Sequence, residues 1–443
     1  VLTVKHGRFA APPHRLTRGG DTLAIRIFVD QGHNPSGPNT GAEGIGLLEQ
    51  DVTRSMNLHH NYEAPEKVVD TPAPRGYKPF YISHYGRHGS RYHWTANHIE
   101  RGLSILDSLA AHDLLTEEGA AVREDLWQIK DAHNGVVGYL THKGAAQHQG
   151  IAHRMYERCP QVFEQKDRQR VEAVSTAAQR CIQSMANFCL QLTRENPSLQ
   201  FTMDAGERYA EYLSNSSGLR HVDKSRTNAI LDSLITAELD PSRIMASWIK
   251  DEVAAEKYVH NPRIFIYYVF WAGSIGQCLD IEDPYIYRHF TFDEIYALWA
   301  YNDAYYYSSM CGNLENERNE DLIGQRILTD ILEKADLALE EGSDKAADLR
   351  FGHDSALSPL ISLLRVEGLE EAHSVAQAPD VWFGFRSMPM ASNLQMIFYK
   401  NKKGDVLVKL LYNERETTIP AVQTCCGPYY KWSELRDYFT SLL

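Results

Sequence analysis

Phe80-Tyr81-Ile82-Ser83-His84-Tyr85-Gly86-Arg87-His88-Gly89-Ser90-Arg91 joins a short strand rich in aromatic and β-favouring residues to a loop in which two arginines flank a histidine. Such a run predicts a β-strand that stops at Gly86. Two later stretches repeat the design. Arg170 to Val174 reads as a second strand, followed by Thr176 as the predicted cap of a helix whose apolar positions Ile182, Met185, Cys189 and Leu192 recur at helical spacing. Leu349 to Phe351 reads as a third strand, ending at Gly352-His353-Asp354, with Ser355, Ser358 and Pro359 opening the next helix. Strands that alternate with helices specify an α/β fold, and open α/β sheets bind ligands beyond the carboxyl ends of their strands.

The rest of the chain frames this reading. With 443 residues, two or three domains are expected. A composition of 43% hydrophobic and 23% charged residues is that of a globular protein with a substantial core. The longest apolar run, Ile264 to Gly273, is about half of the roughly 20 residues that span a bilayer, so it reads as a buried helix and no membrane span is predicted. The net charge of −13 argues against nucleic acid or anionic membranes as partners. An anionic ligand would need a local basic pocket. Lys5, Arg8, Arg15 and Arg18 precede no apolar segment, so no signal peptide is visible. Of the seven cysteines, Cys181 and Cys189 lie roughly 12 Å apart along one predicted helix, too far to bridge, and no CxxC spacing suggests a metal.

Pro65, Pro72, Pro74 and Pro79 mark a linker-like stretch, after which residues from about 75 to the end form one α/β pattern. Residues 220 to 345 are mainly helical in pattern. Leu394 to Tyr399 and Val406 to Tyr412 form a predicted hairpin around Asn401-Lys402-Lys403-Gly404-Asp405.

The three strand ends would gather Arg87, His88, Arg91, Arg180, His353 and Asp354 at one sheet edge. Guanidinium forks match phosphate oxygens, so three of them specify a phosphoryl site and supply the positive field that an acidic chain otherwise lacks. Neighbouring positive charge favours the neutral, nucleophilic form of His88. Gly89 allows close backbone approach, and Arg180 falls in the first turn of its helix, where free N–H groups favour anions. Asp354 is the candidate general acid.

Arg87-His88-Gly89-Ser90-Arg91 together with His353-Asp354 resembles the signature of the histidine acid phosphatases, clade two of the histidine phosphatases. Leu140-Thr141-His142-Lys143-Gly144-Ala145-Ala146-Gln147-His148 and Ser175-Thr176 with Arg180-Cys181 extend the likeness. Tyr77 to Gly86 and Pro428 to Trp432 look most like the multiple inositol polyphosphate phosphatases and phytases. The resemblance covers roughly residues 60 to 443. It implies a histidine-phosphatase α/β core with a mostly parallel central sheet flanked by helices, at about residues 75–100, 136–215 and 345–443. An inserted α-helical cap would occupy about 101–135 and 216–344. It further implies hydrolysis of phosphomonoesters through a phospho-histidine, with inositol polyphosphates such as phytate as small-molecule substrates. It calls for no metal or cofactor and a periplasmic or secreted location. His88 would be the nucleophile, Asp354 the proton donor, and Arg87, Arg91, Arg180 and His353 the phosphate ligands. Two departures stand out. His93 replaces the proline usual two places after the second arginine, and His353-Asp354-Ser355 replaces the His-Ala-Glu of many inositol polyphosphate phosphatases.

Other features carry less. Lys143 reads as a solvated residue at a helix start, with His148 a further candidate. Tyr305, Tyr306 and Tyr307 with Asn302 and Asp303 read as a buried aromatic stripe or one side of a pocket, and Asn215-Ser216-Ser217 is a glycosylation sequon. Residues 22–55, with a strand at Leu23 to Val29 and with His33 and Glu49, resemble the start of zinc N-acetylmuramoyl-L-alanine amidases. They lack the family's second histidine, which predicts an inactive fragment over residues 1–56, ahead of a phosphatase at 57–443. The competing functions are a broad acid phosphatase on sugar phosphates, a zinc cell-wall amidase and a non-catalytic phosphate-binding module.

Overall fold

The computed structural model describes residues 41–67, 70–214, 224–281 and 285–443. The strand at Leu23 to Val29, His33 and the sequon at Asn215 lie outside them. The strands are β1 (Lys78–Arg87), β2 (Arg170–Ser175), β3 (Gln200–Ala205), β4 (Lys345–Gly352), β5 (Asn393–Lys400), β6 (Val406–Tyr412), β7 (Arg415–Thr417) and β8 (Tyr429–Lys431). The principal helices, in chain order, are α1 (Gly41–Gln50), α2 (Asn97–Ala111), α3 (Glu117–Ala132), α4 (His142–Arg158), α5 (Gln179–Glu195), α6 (Ser225–Glu238), α7 (Pro262–Gly273), α8 (Phe292–Met310), α9 (Leu322–Leu339), α10 (Asp354–Leu364) and α11 (Trp432–Ser441).

One sheet runs in the order β3-β2-β4-β1-β5-β6-β7, with β8 also paired to β6. The first four strands are mutually parallel and the others add antiparallel. Register sets Arg87 opposite Gly352, and Phe351 opposite Ser175, so the ends of β1, β4 and β2 open on one edge, as the sequence predicts. Alternation along β1 sends Tyr81 and Tyr85 into a core shared with α9, α10 and α11, while Ile82 enters a second core under α4 and α5. The hairpin of β5 and β6 turns at Gly404, with Asn401 bonded to Asp405. A mixed sheet whose central strands are mostly parallel, flanked by helices, is the α/β architecture expected.

A helical layer packs beyond this sheet edge. α2, α3, α7 and the first half of α8 bury Leu103, Leu126, Phe270 and Trp299 together. α7 is the apolar run read as a buried helix. Asn261 caps it by accepting from the Ile264 N–H, with Pro262 in its first turn. Thr291 and Glu294 form a reciprocal capping box on α8.

Several expectations change. α9, included in the expected cap, lies on the sheet against α10, because its stripe of Ile327, Leu328, Ile331 and Leu332 matches the sheet core. Around the boundary expected at residue 56, the described residues 41–56 pack on the rest of the chain. Leu48 and Met56 are buried in the helical layer, and Gly44 sits where a Cβ would meet Phe383 at 2.8 Å. Glu49 points to solvent. Thr176 does not cap α5, whose N-cap is Ala178 with no side-chain bond. Pro359 stands inside α10 rather than at its opening. Among the described residues no helix is long and apolar enough to cross a membrane.

Candidate active site

β1 delivers Arg87 to the sheet edge fully buried. Its Nη1 donates to the Leu58 carbonyl at 2.7 Å and the Met388 carbonyl at 2.6 Å, and its Nη2 pairs with Asp354 Oδ2 at 2.6 Å. The guanidinium is thereby locked behind the loop. His88 follows at 1% exposure. Its Nδ1 lies 3.0 Å from the Gly89 carbonyl, which can only accept, so Nδ1 carries the proton and Nε2 keeps its lone pair. Burial, then Arg180, Arg91 and Arg87, hold the His88 pKa well below the usual imidazole range, which favours the neutral ring. The sequence anticipates the arginines; burial is the larger cause.

The loop is braced by α4. Thr141 caps α4 and donates from Oγ1 to the Ser90 carbonyl at 3.0 Å. Gln147 accepts from the Ser90 N–H at 2.8 Å and donates to Ser90 Oγ at 2.8 Å. Gly89 and Gly144 meet backbone to backbone: a Cβ on Gly89 would lie 2.5 Å from the Gly144 oxygen, and one on Gly144 would lie 2.2 Å from the Ser90 oxygen. The Leu140–His148 motif is therefore scaffolding. Lys143 donates to the Gln277 carbonyl at 2.8 Å on the surface, and His148 is buried against Phe351.

Arg180, in the first turn of α5, reaches His353 Nδ1 at 3.4 Å and the Gly138 carbonyl at 3.4 Å. An arginine can only donate, so His353 Nδ1 accepts and Nε2–H donates to Thr176 Oγ1 at 3.1 Å. Burial and Arg180 push the His353 pKa down to about 3. His353 is the N-cap of α10, and Asp354 opens the helix, with Oδ1 accepting from the Ser355 N–H at 2.8 Å. Burial acts to raise the Asp354 pKa, but Arg87, Arg91 and His353 outweigh it and hold the group below the ordinary carboxylate value. Desolvation, then Arg180 and Arg87 beside it, push the pKa of buried Arg91 down to about 9, so it remains a cation.

His88, Arg91, Arg180, His353 and Asp354 line one cavity of about 820 Å³, with Arg87 directly behind Asp354. All six residues singled out by sequence thus meet. The opposite wall consists of residues the sequence reading missed, Trp94, His98, Tyr268 and Trp271, together with Tyr305 and Tyr306 of α8. Trp94 is 58% exposed and Tyr305 46% exposed, whereas Tyr307 is buried in the sheet core, so the tyrosine run divides between pocket and core. Asn302 and Asp303 are also interior; Asp303 accepts from Asn57 and the Gly384 N–H. Arg101, Lys224 and Glu320 are the other charged wall residues described. Among the described residues no cluster of three or more His, Cys, Asp or Glu is placed to hold a metal ion.

No protein-family model matches this chain, and no curated protein matches its sequence. Solved structures do share its fold. The multiple inositol polyphosphate phosphatase of Bifidobacterium longum, in complex with inositol hexasulfate, superposes with a TM-score of 0.76 at 19% identity, covering 87% of this chain and 97% of that one. The phytase from D. castellii gives a TM-score of 0.65 at 14% identity over 89% of this chain and 86% of that one. The Hafnia alvei phytase in its apo form gives 0.50 at 12% identity over 84% and 98%. The chain therefore has the α/β fold of these phosphatases, the fold class expected from its motifs.

Proposed function

We propose that this chain, built on the histidine acid phosphatase fold, hydrolyses phosphomonoesters through a phospho-histidine on His88, with inositol polyphosphates such as phytate as substrates. The supporting observation is His88, its Nδ1 proton engaged and its Nε2 lone pair free, in a cavity it shares with Arg91, Arg180, His353 and Asp354. Nε2 attacks phosphorus as the ester P–O bond breaks. Arg91 and Arg180 hold the equatorial oxygens, His353 joins them by turning its Nε2–H from Thr176 Oγ1 to the phosphate, and Arg87, expected from the resemblance as a phosphate ligand, instead sets Asp354 through its Nη2. Protonated Asp354 gives its proton to the leaving alkoxide. As carboxylate it then takes a proton from the water that cleaves the P–N bond, and inorganic phosphate leaves. Arg87 and Arg91 favour the ionised form of Asp354. The donor state therefore depends on acidic pH and on the negative charge that a bound substrate brings.

The test is timed digestion of phytate with separation of the inositol phosphates, combined with alkaline quenching to trap phosphate on His88. Phosphate release that persists in His88→Ala would remove the mechanism. Dialysis against EDTA should leave the rate unchanged.

The aromatic wall favours a second reading, a broader acid phosphatase on ring monophosphates such as sugar phosphates. Outside the cradle the described wall has Arg101 and Lys224 against Glu320, a modest positive balance for five further phosphates. Comparing kcat/KM for phytate and glucose-1-phosphate decides between the two.

A further inference from the structure

We infer that His93 and His133 are positioning residues for Arg91: they seat the phosphate loop on the helical layer, and the seat holds only while both rings are uncharged. This rests on the reading above, that the cradle binds the reacting phosphate. His93 occupies the position where the resembled signature has proline, two residues beyond Arg91. Its ring stacks on Trp271 of α7, with centroids 3.9 Å apart and planes 16° apart, and also on His133 at the end of α3, at 5.4 Å and 21°. Its Nε2 lies 3.0 Å from the Ala272 carbonyl, so Nε2 carries the proton.

The geometry also fixes His133. Its Nδ1 lies 2.6 Å from the Ile129 carbonyl and must donate, while its Nε2 lies 2.8 Å from the His93 backbone N–H and must accept. A ring that donates from one nitrogen and accepts at the other is neutral by necessity. Protonating it puts two donors face to face and breaks the bond that anchors the end of the loop. Aromatic rings pack around the pair. His59 stands edge-on to His93 at 5.2 Å, His98 of α2 leans on Trp271 at 4.4 Å, and Tyr92 stands edge-on to His133. Arg91 acts on His59, His93 and His133, Arg87 on His59 and Arg101 on His98; against them the Ala272 and Ile129 carbonyls favour the charged forms of His93 and His133, and Glu100, Lys130 and Asp131 line the small cavity beside His133. Burial, the largest cause, and these arginines lower the affinity of all four imidazoles for a proton.

His133→Gln tests the idea, because an amide oxygen accepts from the His93 N–H at any pH. kcat and KM for p-nitrophenyl phosphate are measured from pH 3 to 8, alongside the fluorescence of Trp271, taken as the difference from Trp271→Phe. In the wild type KM should climb on the acid side while kcat changes less, with the Trp271 emission falling over the same range as the stacked ring charges. In His133→Gln the acid rise in KM should move down by about one pH unit or more. His133→Leu, which removes the acceptor, should raise KM roughly tenfold at every pH. Superimposable pH profiles of KM in the wild type and His133→Gln would overturn the inference. A wild type that turns over no phosphomonoester would instead refute the proposed function. The emission titration would then still judge the stack, since a Trp271 signal unchanged in acid, or equally changed in His133→Gln, counts against it.

Discussion

The cavity has two faces built in opposite ways. The cradle comes from the ends of three adjacent parallel strands, where short sequence motifs deliver Arg87, His88, Arg91, His353 and Asp354, joined by Arg180 in the first turn of α5. Its groups are held by named bonds, such as the two carbonyls on Arg87 and the Thr176 contact with His353. The facing wall is assembled from single aromatic residues on α2, α7 and α8 and on the loop at Trp94, several of them partly open to solvent. The contrast separates two tasks. A sheet edge fixes polar geometry to tenths of an ångström, as phosphoryl chemistry demands, whereas an aromatic wall supplies surface that tolerates variation. Chemistry should therefore depend on the cradle and substrate choice on the wall.

The sharpest way to break that division is His88→Ala. It should lower kcat by about 10^4-fold or more while inorganic phosphate still inhibits or binds, read by calorimetry. Residual turnover close to wild type would mean that the cradle only binds. Asp354→Asn should slow phytate or alkyl phosphates by about 10²- to 10³-fold and p-nitrophenyl phosphate far less, because a good leaving group needs no proton. Equal losses on both substrates would take the donor role away.

Acid stability probes both faces together. His88, His93 and His59 have folded-state pKa values well below the ordinary 6.5. The unfolded chain therefore takes up protons that the folded one refuses. Stability is full above about pH 6.5 and falls as pH drops toward the folded values, by about 1.4 kcal/mol per pH unit for each such ring. Thermal melts should follow this sign. Added phosphate should recover more stability at pH 5 than at pH 7, because it offsets the charge cost at His88. A phosphate effect independent of pH would deny the electrostatic coupling in the cradle. The smallest effect belongs to the wall. Trp94→Ala and Tyr305→Ala should change the ratio of kcat/KM between phytate and glucose-1-phosphate by roughly three- to tenfold, with kcat on p-nitrophenyl phosphate nearly unchanged. A large loss of kcat instead would place chemistry on the wall.

The same contrast explains what could be read in advance. Arg-His-Gly-x-Arg and His-Asp are legible because each is a contiguous run at a strand end, and the parallel register carries them together. Strand β4 begins four residues before the apolar run that announces it. Lys345 and Asp348 look like loop residues, yet they are interior because they pair with each other at 3.1 Å, with Glu172 and with the Tyr81 hydroxyl. Strand β3 carries mixed, partly exposed residues at the sheet edge and gives no apolar signal. The wall has no motif, since Trp94, His98, Tyr268 and Trp271 acquire a common role only when α2 and α7 pack. The stretch up to residue 56 was read as a remnant of another protein because its local pattern resembles one. The long-range contacts of its described residues 41–56, with Leu48 and Met56 buried in the helical layer and Gly44 against Phe383, have no sequence signature.

The contact of Gly89 with Gly144 limits how this protein can be re-engineered. Backbone meets backbone there, so no amino acid with a β-carbon fits at either place without displacing the loop or the first turn of α4. A combinatorial library aimed at new substrates can randomise Trp94, Tyr268 or Tyr305 at little structural risk. The same library extended to these two glycines would return few active clones, and those would carry compensating changes at Ser90, Thr141 or Gln147.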